Sequence, residues 1–240
     1  MASAKPFFNW MRTFLRFFFY LLYHPFAFTY DLVAATVSLG RWKDWVLSVV
    51  PFIEGRRVLE IGHGPGHLQK ALLSQKWVAV GLDESAPMGR LARRNLQRHI
   101  ASTRASSTSS NHDIDYTQTN LARGVSQYLP FHDSSFDTVV ATFPTEYIYD
   151  PATLQEAYRV LLPAGRLVIL PGATIIGRGL LDRAMALLFR ITGQTPPNLA
   201  EIIHERSRQP FVNAGFRVET HELDVRSSRV YVLVATKSAH

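Results

Sequence analysis

Residues 60–66 read E-I-G-H-G-P-G, so Gly62, Gly64 and Gly66 alternate along the chain. An apolar run at 58–61 precedes them and a helical pattern at 67–76 follows. Strand, glycine turn and helix together aim backbone N–H groups and a helix start at a ligand, and a Cβ would block that approach. The next apolar run, 77–82, ends at Asp83, seventeen residues beyond Gly66. A carboxylate at the end of the second strand suits the paired hydroxyls of a ribose. These residues point to a nucleoside-bearing ligand. A dinucleotide fingerprint needs a third glycine where His67 stands, so the pattern departs from that class.

The elements that must position these groups are legible in the spacing. A helix over 86–100 starts with Ser85-Ala86-Pro87 and carries Arg90, Arg93, Arg94 and Arg98, with no acid between Glu84 and Asp113. That face is either solvated or a contact for anionic headgroups. Residues 101–112 are rich in Ser and Thr and read as a surface loop. Strands are expected at 138–143, 167–170, 217–223 and 229–235, with a helix at 151–162. Ahead of all this, 7–23 is apolar and aromatic, with Lys5, Asn9, Arg12 and Arg16 forming one stripe of a helix. It is short for a membrane span, and its basic edge suits an interfacial helix or a packing contact. A second helix is expected over 31–50, closed by Pro51.

The chain has 240 residues, 47% of them hydrophobic and 19% charged, enough apolar content for a folded core. The absence of cysteine excludes disulfides, thiolate metal sites and a cysteine nucleophile. No metal site is expected. The net charge of +7 suits a polyanionic neighbour, nucleic acid or an anionic membrane.

Glu60, two residues before Gly62, completes a pattern that resembles motif I of the class I S-adenosylmethionine-dependent methyltransferases. L-P-F at 129–131 and S-F-D at 135–137 resemble the methyltransferase-11 group, and L-P-A-G-R at 162–166 and F-V-N-A-G-F at 211–216 resemble its later turns. The likeness runs over roughly 28–236. It implies an α/β fold: a Rossmann-like, seven-stranded, mostly parallel sheet with an antiparallel terminal strand and helices on both faces. It implies S-adenosyl-L-methionine as cofactor, with Glu60 on the methionine amino group, Gly62, Gly64 and Gly66 along the turn, and Asp83 on the ribose. His63 either faces the cofactor's carboxylate end or hydrogen-bonds the loop. The family usually has Asp where Val125 stands, so the adenine end would rely on backbone groups at Val125 and Ser126, or on Gln127.

Past the fourth strand, F-P-T-E-Y at 143–147 differs from the N/D-P-P-Y/F/W motif of nucleic-acid amino methyltransferases, which argues against a nucleic-acid partner. Phe143 is expected beside the cofactor. Glu146 is a candidate base or holder of a cationic acceptor, and Tyr147 a candidate pocket wall. Tyr30-Asp31-Leu32 and S-L-G-R-W at 38–42 resemble the ubiquinone/menaquinone C-methyltransferases and the bacterial phosphatidylethanolamine N-methyltransferases. That likeness lays Tyr30 over the cofactor. The resulting expectation is a methyltransferase domain at 51–240, an amphipathic arm at 1–50, and an insert at 172–200 covering the acceptor site. The acceptor is expected to be a lipophilic small molecule or lipid, met at the inner face of the cell membrane from the cytoplasm. Two alternatives stand beside it: a soluble small-molecule methyltransferase with the arm as a lid, and a non-catalytic membrane-associated binding protein on the same scaffold. The oligomeric state and the atom methylated stay open.

Overall fold

The computed structural model describes residues 41–75, 77–106, 120–177, 179, 182 and 208–239. Residues 1–40 of the expected arm 1–50, Tyr30 among them, residues 107–112 of the Ser/Thr loop and nearly all of the helical insert lie outside the described residues.

Seven strands form one sheet: β1 (Arg57–Ile61), β2 (Val78–Asp83), β3 (Asn120–Arg123), β4 (Phe136–Thr142), β5 (Leu161–Ile175), β6 (Phe216–Val225) and β7 (Ser228–Lys237). Their order is β3-β2-β1-β4-β5-β7-β6. The first five are mutually parallel, and β7 runs antiparallel between β5 and β6. The expected architecture is therefore the observed one. The described helices are α1 (Trp42–Leu47), α2 (His67–Ser74), α3 (Ala86–Ser106), α4 (Pro151–Val160) and α5 (Gln209–Asn213). The strand β3 was not expected: four residues of half-buried N-L-A-R carry too little apolar pattern to announce themselves. The strands at 161–175 and 216–225 also outrun their expected spans, because ladder pairing carries them past the apolar stretch.

The central strands are buried on both faces, which is why they read as continuous apolar runs. Alternate residues serve opposite cores. Leu59, Val139, Leu167 and Ile169 join Leu154, Ala157 and Phe211 of α4 and α5 on one face. Val58, Val140, Val168 and Leu170 join Trp45 and Val46 of α1 and Leu68 and Leu72 of α2 on the other. The edge strand β6 alternates buried and exposed, with Arg217, Glu219, Glu222 and Asp224 along it. Charges of this kind discourage pairing with another sheet.

Side chains clamp the entry to β1. Asp137 at the start of β4 accepts from the N–H groups of Arg56 and Arg57 at 3.0 and 2.8 Å. The buried Thr138 hydroxyl donates to the Glu54 carbonyl at 2.7 Å and accepts from the Glu54 N–H at 3.1 Å. The S-F-D motif is thus a fastener between β4 and the approach to the glycine turn.

Candidate functional site

In a sheet of this order the chain turns in opposite directions on leaving β1 and β4, which opens a crevice at the strands' carboxyl ends. A cleft of about 690 Å³ opens there, within the range of small-molecule sites. Residues from the ends of β1, β2, β3 and β4 line it: Gly62, Gly64, Asp83, Val125, Ser126 and Phe143 among them. Tyr147, from the turn after β4, closes one side.

The glycine turn is shaped by sterics. Gly62 has φ of +72°, and a Cβ there would stand 2.5 Å from the Tyr147 hydroxyl. That hydroxyl donates to the Ile61 carbonyl at 3.3 Å, so Tyr147 lies directly against the turn. Gly64 has φ of +50° and open space where a Cβ would be. Its N–H donates to Asp83 Oδ2 at 2.8 Å, while the Ser85 N–H donates to Oδ1 at 2.8 Å. Two backbone donors thus set the carboxylate at the cleft wall, and each oxygen keeps a lone pair for a ligand hydroxyl.

Glu60 is placed differently. It is 1% exposed and is not among the residues lining the cleft. Gln69 Nε2 of α2 donates to its Oε2 at 2.8 Å. Burial, with the nearby Asp83 charge adding to it, pushes the Glu60 carboxyl up to about 8 even against that hydrogen bond. Gly81 of β2 makes room above this pair: a Cβ there would meet Leu121, His63 and Gln69 at 2.8, 3.0 and 3.2 Å. The sequence offered no signal for Gly81 except its presence inside an apolar strand, where glycine often marks a close approach.

His63 is 3% exposed, and its Nδ1 donates to the Gly64 carbonyl at 2.8 Å. Of the two readings open in the sequence, the loop hydrogen bond is the contact observed. Burial holds its imidazole below the ordinary range.

The wall beside Asp83 is the segment 124–131, whose Gly124 N–H donates to the Asp83 carbonyl at 3.2 Å and which is pinned to α4. The buried Ser126 hydroxyl meets that of Thr153 at 2.8 Å, and Gln127 Nε2 donates to Asp150 Oδ2 at 3.0 Å. Glu156 accepts from the Leu129 N–H at 2.7 Å. Arg159 donates to the Leu129 and Phe131 carbonyls and pairs with Asp133 and Glu156. The Ser126 and Gln127 side chains are therefore spent on the fold, and this wall offers backbone groups beside Val125.

At the end of β4, Phe143 takes φ of +48°, a costly conformation for a bulky residue. Its N–H is held by the Leu170 carbonyl at 2.7 Å, and the Trp42 ring of α1 stacks on it at 4.2 Å. Tyr147 is largely buried, and burial together with the Asp83 and Glu60 charges raises its phenol well above the ordinary value. It stays protonated and serves as a hydrogen-bond donor. Glu146 is exposed and is not among the residues lining the cleft. No cluster of candidate metal ligands occurs among the described residues.

Residues 59–169 match the family described as a methyltransferase domain. A ubiquinone/menaquinone biosynthesis C-methyltransferase of Blochmanniella floridana is 29% identical over 156 residues, covering 62% of this chain and 56% of the relative. A demethylmenaquinone methyltransferase of Lactiplantibacillus plantarum is 31% identical over 156 residues, covering 62% and 60%. The chain thus spans a little over half the length of the curated relatives it matches. Among solved structures, an S-adenosyl-L-methionine-dependent methyltransferase of Methanococcus maripaludis superposes with a TM-score of 0.61 at 20% identity, covering 89% of this chain and 93% of that one. Magnesium protoporphyrin IX methyltransferase of Synechocystis, solved with bound S-adenosylhomocysteine, gives 0.51 at 20% identity, covering 82% and 83%. With its sheet order, its glycine turn facing Asp83 and its matched segment 59–169, the chain carries a stretch that matches the methyltransferase-domain family and has the fold of the S-adenosylmethionine-dependent methyltransferases.

Proposed function

We propose that this protein transfers a methyl group from S-adenosyl-L-methionine to a lipophilic small molecule of quinone type. One observation carries the cofactor reading. The positive-φ glycine turn and the Asp83 carboxylate meet across one cleft of about 690 Å³, joined by the Gly64 N–H at 2.8 Å. Open space at Gly64 and free lone pairs on Asp83 fit an adenosine-bearing ligand. When bound, the cofactor supplies an already activated methyl group, so the protein's task is mainly alignment.

Asp83 would take the ribose hydroxyls, Gly62 and Gly64 would let the backbone approach, and backbone groups at Val125 and Ser126 would meet the adenine. Glu60 would act from its buried position, its ionised form favoured once a cationic amine sits near. Phe143 and Tyr147 would wall the acceptor's side of the cleft. A quinone-type acceptor is supported by the names of the relatives and by this aromatic wall.

The arm and the insert would cover the acceptor. Their described ends support that reading. Arg41 pairs with Asp182 at 2.7 Å, and Trp42 lies on Phe143. No helix among the described residues is long and apolar enough to cross a membrane. Contact with an anionic bilayer would come from the basic, aromatic stretch 5–23.

Calorimetric titration with S-adenosylhomocysteine tests the cofactor site. Saturable binding is expected, weakened roughly a hundredfold in Asp83→Ala, the equivalent of about 3 kcal/mol for two lost charge-assisted hydrogen bonds. Unchanged affinity in that variant would overturn the site. Transfer of labelled methyl from S-adenosylmethionine to a demethylated naphthoquinol in detergent then tests the acceptor class.

A further inference from the structure

A second groove, of about 460 Å³, opens on the far side of Asp83 between α3 and the edge strand β3. Arg90, Arg93 and Arg94 of α3 and Arg123 of β3 line it, with His63 and Asp83 at its inner end. The helix supplies its arginines at positions one face can share. Arg90, Arg93 and Arg94 form no ion pair among the described residues. Arg123 Nε donates to the Glu84 carbonyl at 3.0 Å, which fixes its guanidinium at the rim. Both oxygens of Asp83, the one acid in the lining, already accept backbone N–H groups.

Four guanidiniums gathered around one groove repel one another unless an anion joins them. Arginine's planar fork matches phosphate oxygens two at a time. The inner end holds a second observation, independent of the arginines. His63 is 3% exposed, and its Nε2 is buried with no partner. Because Nδ1 donates to the Gly64 carbonyl, the neutral ring has a bare acceptor at Nε2. A buried acceptor left unmatched is costly and calls for a donor. Among common oxyanions, sulfate and carboxylate have no proton to give near neutral pH. A phosphate monoester keeps one on part of its population there, since its second ionisation lies near 6.

We propose that this groove binds a phosphate monoester, with Arg90, Arg93, Arg94 and Arg123 on its oxygens and His63 Nε2 on its remaining proton. The ester is either the headgroup of a phosphatidic-acid-type lipid or a soluble phosphorylated metabolite; the chemistry recognised is the same. The site shares Asp83, Ser85, Ala86 and Arg123 with the methyl-transfer cleft, while Arg90, Arg93 and Arg94 line this groove and not that cleft; the inference stands whether or not that cleft transfers methyl groups.

The test titrates the full chain with glycerol 3-phosphate, and with sulfate at matched ionic strength. One saturable site is expected, at least tenfold tighter for the phosphate ester than for sulfate. Arg90→Gln/Arg94→Gln should weaken it at least tenfold, Arg98→Gln on the same helix should not, and S-adenosylhomocysteine affinity should be unchanged in both. The His63 ring resonance should shift as the phosphate ester saturates. Phosphatidylcholine vesicles doped with phosphatidic acid identify the source. Binding that glycerol 3-phosphate displaces assigns the site to a lipid; glycerol 3-phosphate binding without vesicle recruitment assigns it to a metabolite. Equal affinity for sulfate, no effect of the double substitution, or an unmoved His63 resonance would each overturn the proposal, and retained S-adenosylhomocysteine binding would show that the methyl-transfer reading survives it.

Discussion

Glu60 is a buried carboxyl that accepts one hydrogen bond, from Gln69. Its ordinary value of 4.5 rises to about 8, so between those limits the folded protein holds a proton that the unfolded chain has released. Unfolding then releases a proton, and stability falls as pH rises through that window. The loss reaches about 5 kcal/mol at most, from 1.36 kcal/mol for each unit of displacement. Glu60→Gln keeps the shape and the Gln69 contact while removing the titration. Urea melts at a series of pH values should show wild-type stability declining from pH 5 to pH 8 and the Gln variant nearly level. Equal slopes would mean that Glu60 titrates normally. Asp83 is held by geometry. It sits between two backbone donors, and Asp83→Ala orphans the Gly64 and Ser85 N–H groups.

At the scale of elements, the glycine turn is only as well placed as the strand that feeds it. That strand's entry hangs on Asp137 and Thr138. Thr138 is fully buried and serves both backbone groups of Glu54. Thr138→Val preserves the volume and strands both. A loss of roughly 1–3 kcal/mol is expected, read as a lower urea midpoint at unchanged slope. The same principle governs the wall at 124–131. Arg159 and Glu156 of α4 gather the 129–133 segment through carbonyl, N–H and carboxylate contacts. Arg159→Met keeps much of the stem but leaves those carbonyls unmet, so a weaker adenine wall should appear as reduced S-adenosylhomocysteine affinity at little cost to the distant β6–β7 hairpin. Calorimetry with amide exchange separates the two effects.

For the whole molecule, a ligand that binds only the folded state adds stability by mass action. At a hundred times its dissociation constant the gain is about 2.7 kcal/mol. For a chain of this size that raises the melting temperature by about 5–10 °C. S-adenosylhomocysteine should produce that shift in the wild type and lose it in Asp83→Ala, each measured against its own unliganded melt. The cationic arm belongs to this scale too. Arg12→Glu/Arg16→Glu should reduce sedimentation with anionic vesicles and weaken its salt dependence. Unchanged partitioning would remove the membrane from the functional reading.

What the sequence determined by itself was periodic and local. Apolar runs of strand length ending at Gly62 and Asp83 specify a βαβ unit and the ends of its strands, because burial on both faces demands such runs. The motifs around Leu129, Phe136 and Gly165 carried the likeness, and with it the sheet's parallel half and antiparallel end. Tertiary structure decided which polar groups are spent on the fold and which are left for a ligand. Gln127 looks like a ligand contact in sequence, yet Asp150, distant along the chain, claims its side chain. Glu60 looks like a cleft residue, yet it is buried against Gln69 and does not line the cleft. The strand β3 needs the β2 ladder to exist at all, and only that ladder brings Arg123 opposite the arginines of α3. Periodicity reports burial along one element, whereas hydrogen-bond partners and fields depend on residues distant in sequence, and only the packed chain brings those together.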